Sequence, residues 1–304
     1  MKIRHRHVLS VLLLASTIAV VALAVSAADA AGPSINAGPQ AGIVWTHGLT
    51  NAAGHARHTS SPNLIYHGGP VMTLPTEVYP IFWGTSFTNG VISGIDSFYG
   101  GVGSTSYANT NTEYWNSLGV FVSPGVQANG YVTDTTTPAP TQAPQTSAIL
   151  AEVARMYPNP KPNAYYPVYI DQPRGHAGYC AWHSAGTIGG VNVQFAFFFK
   201  LDGDPGCDPQ NPGTTQTEGL EALGNVSGHE LSEMMTDPQL NAWYDSRGAE
   251  NSDKCAWTFG AKLLKLGTTS WKVQGNWSNN AYTNNQGYTD PSSGFTRGCI
   301  DGTN

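Results

Sequence analysis

The pattern of apolar and polar positions predicts a protein that mixes strands and helices. Residues 165–170 are apolar or aromatic throughout, and residues 191–199 alternate at first and then become wholly apolar, as in a central strand. Residues 77–84 form a third run of aromatic and β-branched side chains between turn residues. Shorter strands are expected at residues 127–133, 263–266 and 271–274. Together these runs predict a central β-sheet.

The longest helix is expected at residues 217–236, because Asp237 precedes Pro238 and the α conformation is disfavoured before proline. When this segment is wound at about 100° per residue, four apolar side chains cluster on one side. They are Leu220, Leu223, Leu231 and Met234. We expect that side to face the core. Shorter helices are expected at residues 91–99, 112–118 and 147–156.

The composition indicates a fold with many loops. Charged residues make up 11% of the chain, against roughly 25% in an average soluble protein, and there are 35 glycines and 20 prolines. No shift in composition marks a boundary between two cores. We therefore predict a single α+β domain over residues 63–304, with a central mixed β-sheet flanked by helices. Residues 31–62 have no sustained period and are expected to form a flexible N-terminal arm.

Residues 1–30 have the features of a secretory signal peptide. A basic start precedes the almost unbroken apolar residues 8–25, and small side chains at residues 28–30 offer a cleavage site. An uncleaved membrane anchor is the alternative interpretation of the same segment. We expect a secreted, extracellular protein, at the cell surface or in the periplasm, with no membrane contact after cleavage. The formal net charge of −6 argues against nucleic acid as a partner.

The four cysteines fit an exported protein with two disulfides. Three pairings are possible. We favour Cys180 with Cys207 and Cys255 with Cys299, because each pair lies within one half of the sequence around the long helix. No two cysteines form a C-x-x-C pair, which argues against a thiolate zinc site or a redox site.

The long helix carries the sequence His229-Glu230-x-x-Glu233. Residues four apart lie on one face of a helix, so His229 and Glu233 would be neighbours, with Glu230 about a quarter-turn away. In H-E-x-x-H zinc peptidases the residues at this spacing bind the ion, and the intervening glutamate acts as general base. Here the second position is a glutamate. A solvated acidic helix face is the alternative.

Two downstream carboxylates could complete the ligand set. Glu250 and Asp253 follow the helix at positions that resemble those of the third zinc ligand and a supporting aspartate in the gluzincin peptidases. We therefore predict that His229, Glu233 and Glu250 bind Zn²⁺, that Glu230 is the catalytic base, and that Asp253 orients His229.

His183 is a further candidate, since it follows Cys180 and Trp182 in a Cys-x-x-His segment. It could face the site as a ligand or a substrate contact. The alternative is a structural histidine that bonds to the backbone.

Several segments resemble the phosphate-induced-protein family, also called EXORDIUM-like. The segment His67-Gly68-Gly69-Pro70 leads into an aromatic strand that ends at Gly84, and the similarity continues to about residue 300. Bacterial-type members are also similar at the H-E-x-x-E, Thr-Asp-Pro and Trp-Tyr-Asp steps, whereas plant-type members lack the His-Glu pair. The resemblance implies an extracellular, cell-surface or wall-associated protein.

Two functions follow from these observations. The first is a secreted metal-dependent hydrolase, similar to a zinc metallopeptidase, that acts on a peptide or cell-wall substrate; Mn²⁺ is an alternative to zinc. The second is a non-catalytic EXORDIUM-like protein whose His/Glu cluster is structural. The sequence leaves the substrate and the oligomeric state open.

Overall fold

The computed structural model describes residues 34–35, 41–47, 62–210, 213–290 and 295–302. The expected signal peptide lies outside these residues. The strands are β1 (Ser34–Ile35), β2 (Ala41–Trp45), β3 (Ile65–Tyr66), β4 (Thr76–Val78), β5 (Ile81–Trp83), β6 (Val126–Ala128), β7 (Val132–Asp134), β8 (Ala164–Pro173), β9 (Tyr179–Ile188), β10 (Val191–Lys200), β11 (Trp243–Tyr244), β12 (Leu264–Leu266), β13 (Thr269–Trp271), β14 (Asn276–Trp277), β15 (Tyr288–Asp290) and β16 (Phe295–Ile300). The helices are α1 (Asn89–Val102), α2 (Ser106–Asn109), α3 (Thr146–Met156), α4 (Glu218–Thr236) and α5 (Asn279–Thr283), and a 3-10 turn covers Asp253–Cys255.

The predicted mixed α+β fold with a central sheet is confirmed. Nine strands form the main sheet, with the order β1-β9-β10-β8-β4-β6; β2 pairs with β9, and β5 pairs with β8 and β7. Strand β10 is parallel to β8 and antiparallel to β9, so the sheet is mixed. The three central strands are almost entirely buried, because helices and loops cover both faces.

Helix α4 packs against this sheet and carries the H-E-x-x-E motif. Every residue from Gly219 to Thr236 is buried, so the helix has no solvated acidic face. Two of its glycines allow the close packing. A Cβ on Gly224 would lie 2.4 Å from the Trp271 ring, and one on Gly228 would lie 2.9 Å from the Tyr107 hydroxyl.

Several predicted elements differ from the structure. The run at residues 77–84 is split into β4 and β5, because Pro80 has no N–H to continue the ladder. The strand expected at residues 127–133 is interrupted at Gly130, where φ is +78°. Residues 112–118 do not form a helix, and Trp115 instead bridges to Phe121. Strand β9 was not predicted at all.

The expectation of a loose arm is wrong for Ala41–Trp45, which pairs with β9 in antiparallel register. The C-terminal segment is also more ordered than its Asn/Ser/Gly-rich sequence suggests. Strands β14, β16 and β15 form a small antiparallel sheet there.

Both favoured disulfides are confirmed. Cys180 of β9 is bonded to Cys207, and Cys255 is bonded to Cys299 of β16. The second bond fastens the C-terminal sheet to the 3-10 turn. Disulfides of this kind indicate an oxidising environment. Within the described part of the chain, no helix has the length and apolar character needed to cross a membrane.

Candidate metal centre

Three parts of the chain bring their polar side chains together inside the protein. Helix α4 contributes His229, Glu230 and Glu233, and all three are fully buried. The central strand β9 contributes His183, which is also fully buried. The segment after β11 contributes Glu250 and, at the start of the 3-10 turn, Asp253.

The first group joins β9 to α4 and to the downstream segment. His183 Nε2 lies 3.0 Å from Glu250 Oε2 and 3.5 Å from Glu233 Oε2. One ligand atom from each of these three residues falls within 4.8 Å of the others. His183 therefore faces the site and bonds to a carboxylate, which answers the question that the sequence left open.

The second group lies at the other oxygen of the same glutamate. His229 Nε2 is 3.0 Å from Glu233 Oε1 and 3.7 Å from Asp253 Oδ1. The Asp253 backbone N–H donates to Glu233 Oε1 at 2.9 Å, and the Glu250 N–H donates to Asp253 Oδ2 at 3.2 Å. These backbone bonds fix the downstream loop against α4.

The side chains predicted for the site are thus assembled, but their pairing differs from the expected one. Glu250 lies with His183, and Asp253 lies with His229 as a direct neighbour. Glu230 belongs to neither group among the described residues. Both of its carboxyl oxygens are buried, and neither has a hydrogen-bond partner in the described structure.

Two residues that no sequence pattern singled out also shape the site. Gln274 places Nε2 at 2.8 Å from His229 Nδ1 and at 2.9 Å from the Ser252 carbonyl oxygen, to which it donates. Gln274 therefore holds the His229 ring in a fixed orientation against the Ser252 segment.

Gly42 of β2 is the second such residue. Its φ is +56°, and a Cβ there would lie 2.0 Å from His183 Cδ2 and 2.4 Å from Glu233 Oε2. Only glycine permits the backbone to approach these side chains so closely. Strand β2 therefore covers the site.

Burial sets the protonation of the cluster in the absence of a cation. It raises the pKa of Glu233 and Glu250 well above the usual range, and together with the charge on Glu233 it raises the pKa of Asp253 to about 8. Burial lowers the pKa of His183 to about 3 and that of His229 to about 4. The histidines are therefore neutral at pH 7, which is the form that binds metals.

The donor atoms fit a divalent cation. Ligand atoms around a tetrahedral zinc ion, with bonds of about 2.0–2.2 Å, lie roughly 3.4 Å apart. The four N···O separations range from 3.0 to 3.7 Å. His229 Nε2 and Glu233 Oε2 make no hydrogen bond in the described structure, although each has a carboxylate or imidazole partner at one of these distances. Close contacts between unaligned polar atoms are expected where an ion lies between them.

Comparisons with known proteins identify no relative. No family model matches the chain, and neither a curated protein nor a solved structure matches it. The buried groups described above could hold a metal ion, and this conclusion depends on the geometry of the site alone.

Proposed function

We propose that this protein is a secreted metal-dependent hydrolase of the metallopeptidase kind, with zinc as its ion. The observation that carries the proposal is the convergence of two buried histidines and three carboxylates at ligand-like separations, with buried polar atoms that lack hydrogen bonds. Neutral imidazole and carboxylate oxygen form a ligand set that suits zinc, and Mn²⁺ is the alternative. The two disulfides support export.

The side chains of the site would have two roles, metal binding and proton transfer. His183, His229, Glu233, Glu250 and Asp253 would supply the metal ligands, in the two groups described above. When bound, a divalent cation would polarise the scissile carbonyl group as a Lewis acid.

Glu230 would accept a proton from the attacking water at one of its carboxyl oxygens. Burial, with the charges of Glu233 and Asp253, raises the pKa of Glu230 well above its usual range. A nearby cation would favour the ionised form of this carboxyl group and so make it available as a base.

An extended peptide is the substrate that the surroundings favour. Strand β2 lies at the edge of β9, pairs with it in antiparallel register and passes directly over His183 and Glu233. Displacement of β2 would expose both the site and an unpaired strand edge, to which a peptide can add as a further strand. Catalysis would therefore require β2 to move.

The test separates binding from hydrolysis. Glu230→Gln should retain the wild-type metal content and lose hydrolysis of an unstructured protein substrate by at least about 100-fold, because only the base is removed. Glu218→Gln is the matched control, since Glu218 lies exposed in the first turn of the same helix. Unchanged hydrolysis in Glu230→Gln, or in protein stripped of metal, would exclude this function.

A second candidate is a non-catalytic extracellular protein with a structural ion, as the EXORDIUM-like resemblance implies. The closed site favours it, because His183, His229, Glu230 and Glu233 are fully buried, and β2 covers His183 and Glu233. Under this alternative, stripping the metal would destabilise the protein, and no preparation would hydrolyse peptides.

A further inference from the structure

We infer that the centre holds two metal ions, with the carboxylate of Glu233 as the bridge between them. The inference rests on the metal binding in the proposed function but not on hydrolysis. It assigns each ion one histidine, one terminal carboxylate and one oxygen of Glu233.

The two oxygens of Glu233 face different partners. Oε2 is directed to His183, which also contacts Glu250, and Oε1 is directed to His229, which lies next to Asp253. The two groups therefore have the same composition and are joined by one residue. A carboxylate can bridge two ions by giving one oxygen to each.

A single ion does not account for all of the donors. No group of ligand atoms within 4.8 Å of one another, among the described residues, contains both His183 and His229. Donors to one zinc ion lie roughly 3.4 Å apart. An ion held by His183, Glu233 and Glu250 would leave His229 Nε2 buried without a partner, which is costly.

The charge of the cluster also matches two ions. The cluster carries four negative charges when all of its carboxyl groups are ionised: Glu230, Glu233, Glu250 and Asp253. The ion pairs that the structure describes for Glu233, Glu250 and Asp253 are all with histidines. If all four were ionised, one divalent cation would leave two negative charges uncompensated in the interior, whereas two divalent cations would balance them.

Metal stoichiometry tests the inference. Full-length secreted protein, stripped with a chelator, would be titrated with Zn²⁺ by calorimetry, and its bound zinc counted by elemental analysis. Wild type should bind two equivalents, His183→Ala and His229→Ala one each, and Glu233→Ala fewer than one. Glu218→Gln serves as control and should bind two.

A measurement on the wild type avoids the question of whether variants fold. Ions in two-metal sites lie about 3.5–4 Å apart, so Mn²⁺ loaded at two equivalents should give the electron paramagnetic resonance spectrum of a coupled pair.

Other outcomes would overturn the inference. Wild type that saturates at one equivalent, with an uncoupled Mn²⁺ spectrum, means a mononuclear site. Wild type that binds no metal would overturn both the inference and the proposed function. Two bound ions without hydrolysis would exclude the proposed activity and leave the dinuclear centre in place.

Discussion

Asp245 and Lys254 lie on the segment of chain that also carries Glu250 and Asp253 of the candidate metal centre, and both regions bury carboxylates. Lys254 Nζ lies 2.9 Å from Asp245 Oδ2, and the exposed fractions of the two side chains are 2% and 4%. Burial alone would raise the pKa of Asp245, but the Lys254 ammonium outweighs it and holds the pKa below its usual value. Burial of Glu250 and Asp253 raises their pKa instead.

This contrast shows that burial does not by itself mark a functional site. Asp245 is neutralised by a cation that the chain supplies, whereas the carboxylates of the metal centre are paired with histidines that are neutral at pH 7. The difference marks the second region as one that could hold a cation from solution.

Among the changes that test this contrast, removal of the metal should reduce the stability of the protein most. At free metal about 1,000-fold above Kd, each bound ion stabilises the folded chain by about 4 kcal/mol, so two ions contribute about 8 kcal/mol. For a domain of this size the melting temperature should fall by at least about 10 °C. Scanning calorimetry with chelator, followed by addition of zinc, measures the change. An unchanged melting temperature would mean that the carboxylates of the centre need no ion.

Lys254→Met should destabilise the protein by about 3–5 kcal/mol, because it leaves Asp245 buried without its ammonium partner. Denaturant unfolding of the metal-loaded protein measures this change. Lys200→Met is the control, because the Lys200 and Asp202 side chains are 42% and 50% exposed and their N–O distance is 3.6 Å. We expect a loss of about 1 kcal/mol or less there. Equal losses at the two positions would contradict the importance of burial.

Gly42→Ala should cost about 1–3 kcal/mol more than Gly189→Ala, because it adds a collision with His183 and Glu233. The two glycines have φ of +56° and +57°, and a Cβ at Gly189 meets nothing within 4 Å. When the stability losses of the two variants are subtracted, the backbone strain common to both cancels. It is measured by denaturant unfolding, together with zinc affinity, which only Gly42→Ala should weaken. Equal behaviour would mean that β2 does not cover the centre.

The pH dependence should differ between the metal-free and the metal-loaded protein. The unfolded chain releases the Asp253 proton near pH 3.8, whereas the folded, metal-free chain holds it until about pH 8. The unfolded state binds fewer protons in that range, so the stability of the stripped protein falls as pH rises from 6.5 to 8. The slope for this group is at most about 1.4 kcal/mol per pH unit.

Bound metal should abolish this fall, because the ligands bind in their deprotonated form. Denaturant midpoints at several pH values measure both slopes. The histidine shifts act in the opposite direction but only below pH 6.5, where the unfolded histidines bind protons that the buried histidines do not, so stability there rises with pH. Identical slopes with and without metal would contradict the assignment of Asp253.

Local signals in the sequence were sufficient for much of the fold. The Asp237-Pro238 step marked the end of α4 correctly, and the apolar runs located β8 and β10. Strand β9 escaped detection because His183 and Ser184 interrupt its apolar pattern. Their burial results from pairing with β10 on one side and β2 on the other, which are contacts between distant parts of the chain.

The site was only partly predictable for the same reason. Helical spacing placed His229 beside Glu233, which is a local relation. The pairing of Glu250 with His183 depends on where the sheet and the downstream loop meet, and no spacing encodes that position. Gln274 and Gly42 gave no signal, since a single glutamine or glycine matches many structural roles.

The position of Gly42 also has a consequence for the rate at which metal is exchanged. An ion held beneath β2 can leave for a chelator only after this edge strand separates from β9, so release is limited by a local opening of the backbone. Dissociation of metal should then be slow even where affinity is modest, and its rate should match the hydrogen-exchange rate of the β2 amides. The bound ion would thereby report how often the N-terminal strand detaches.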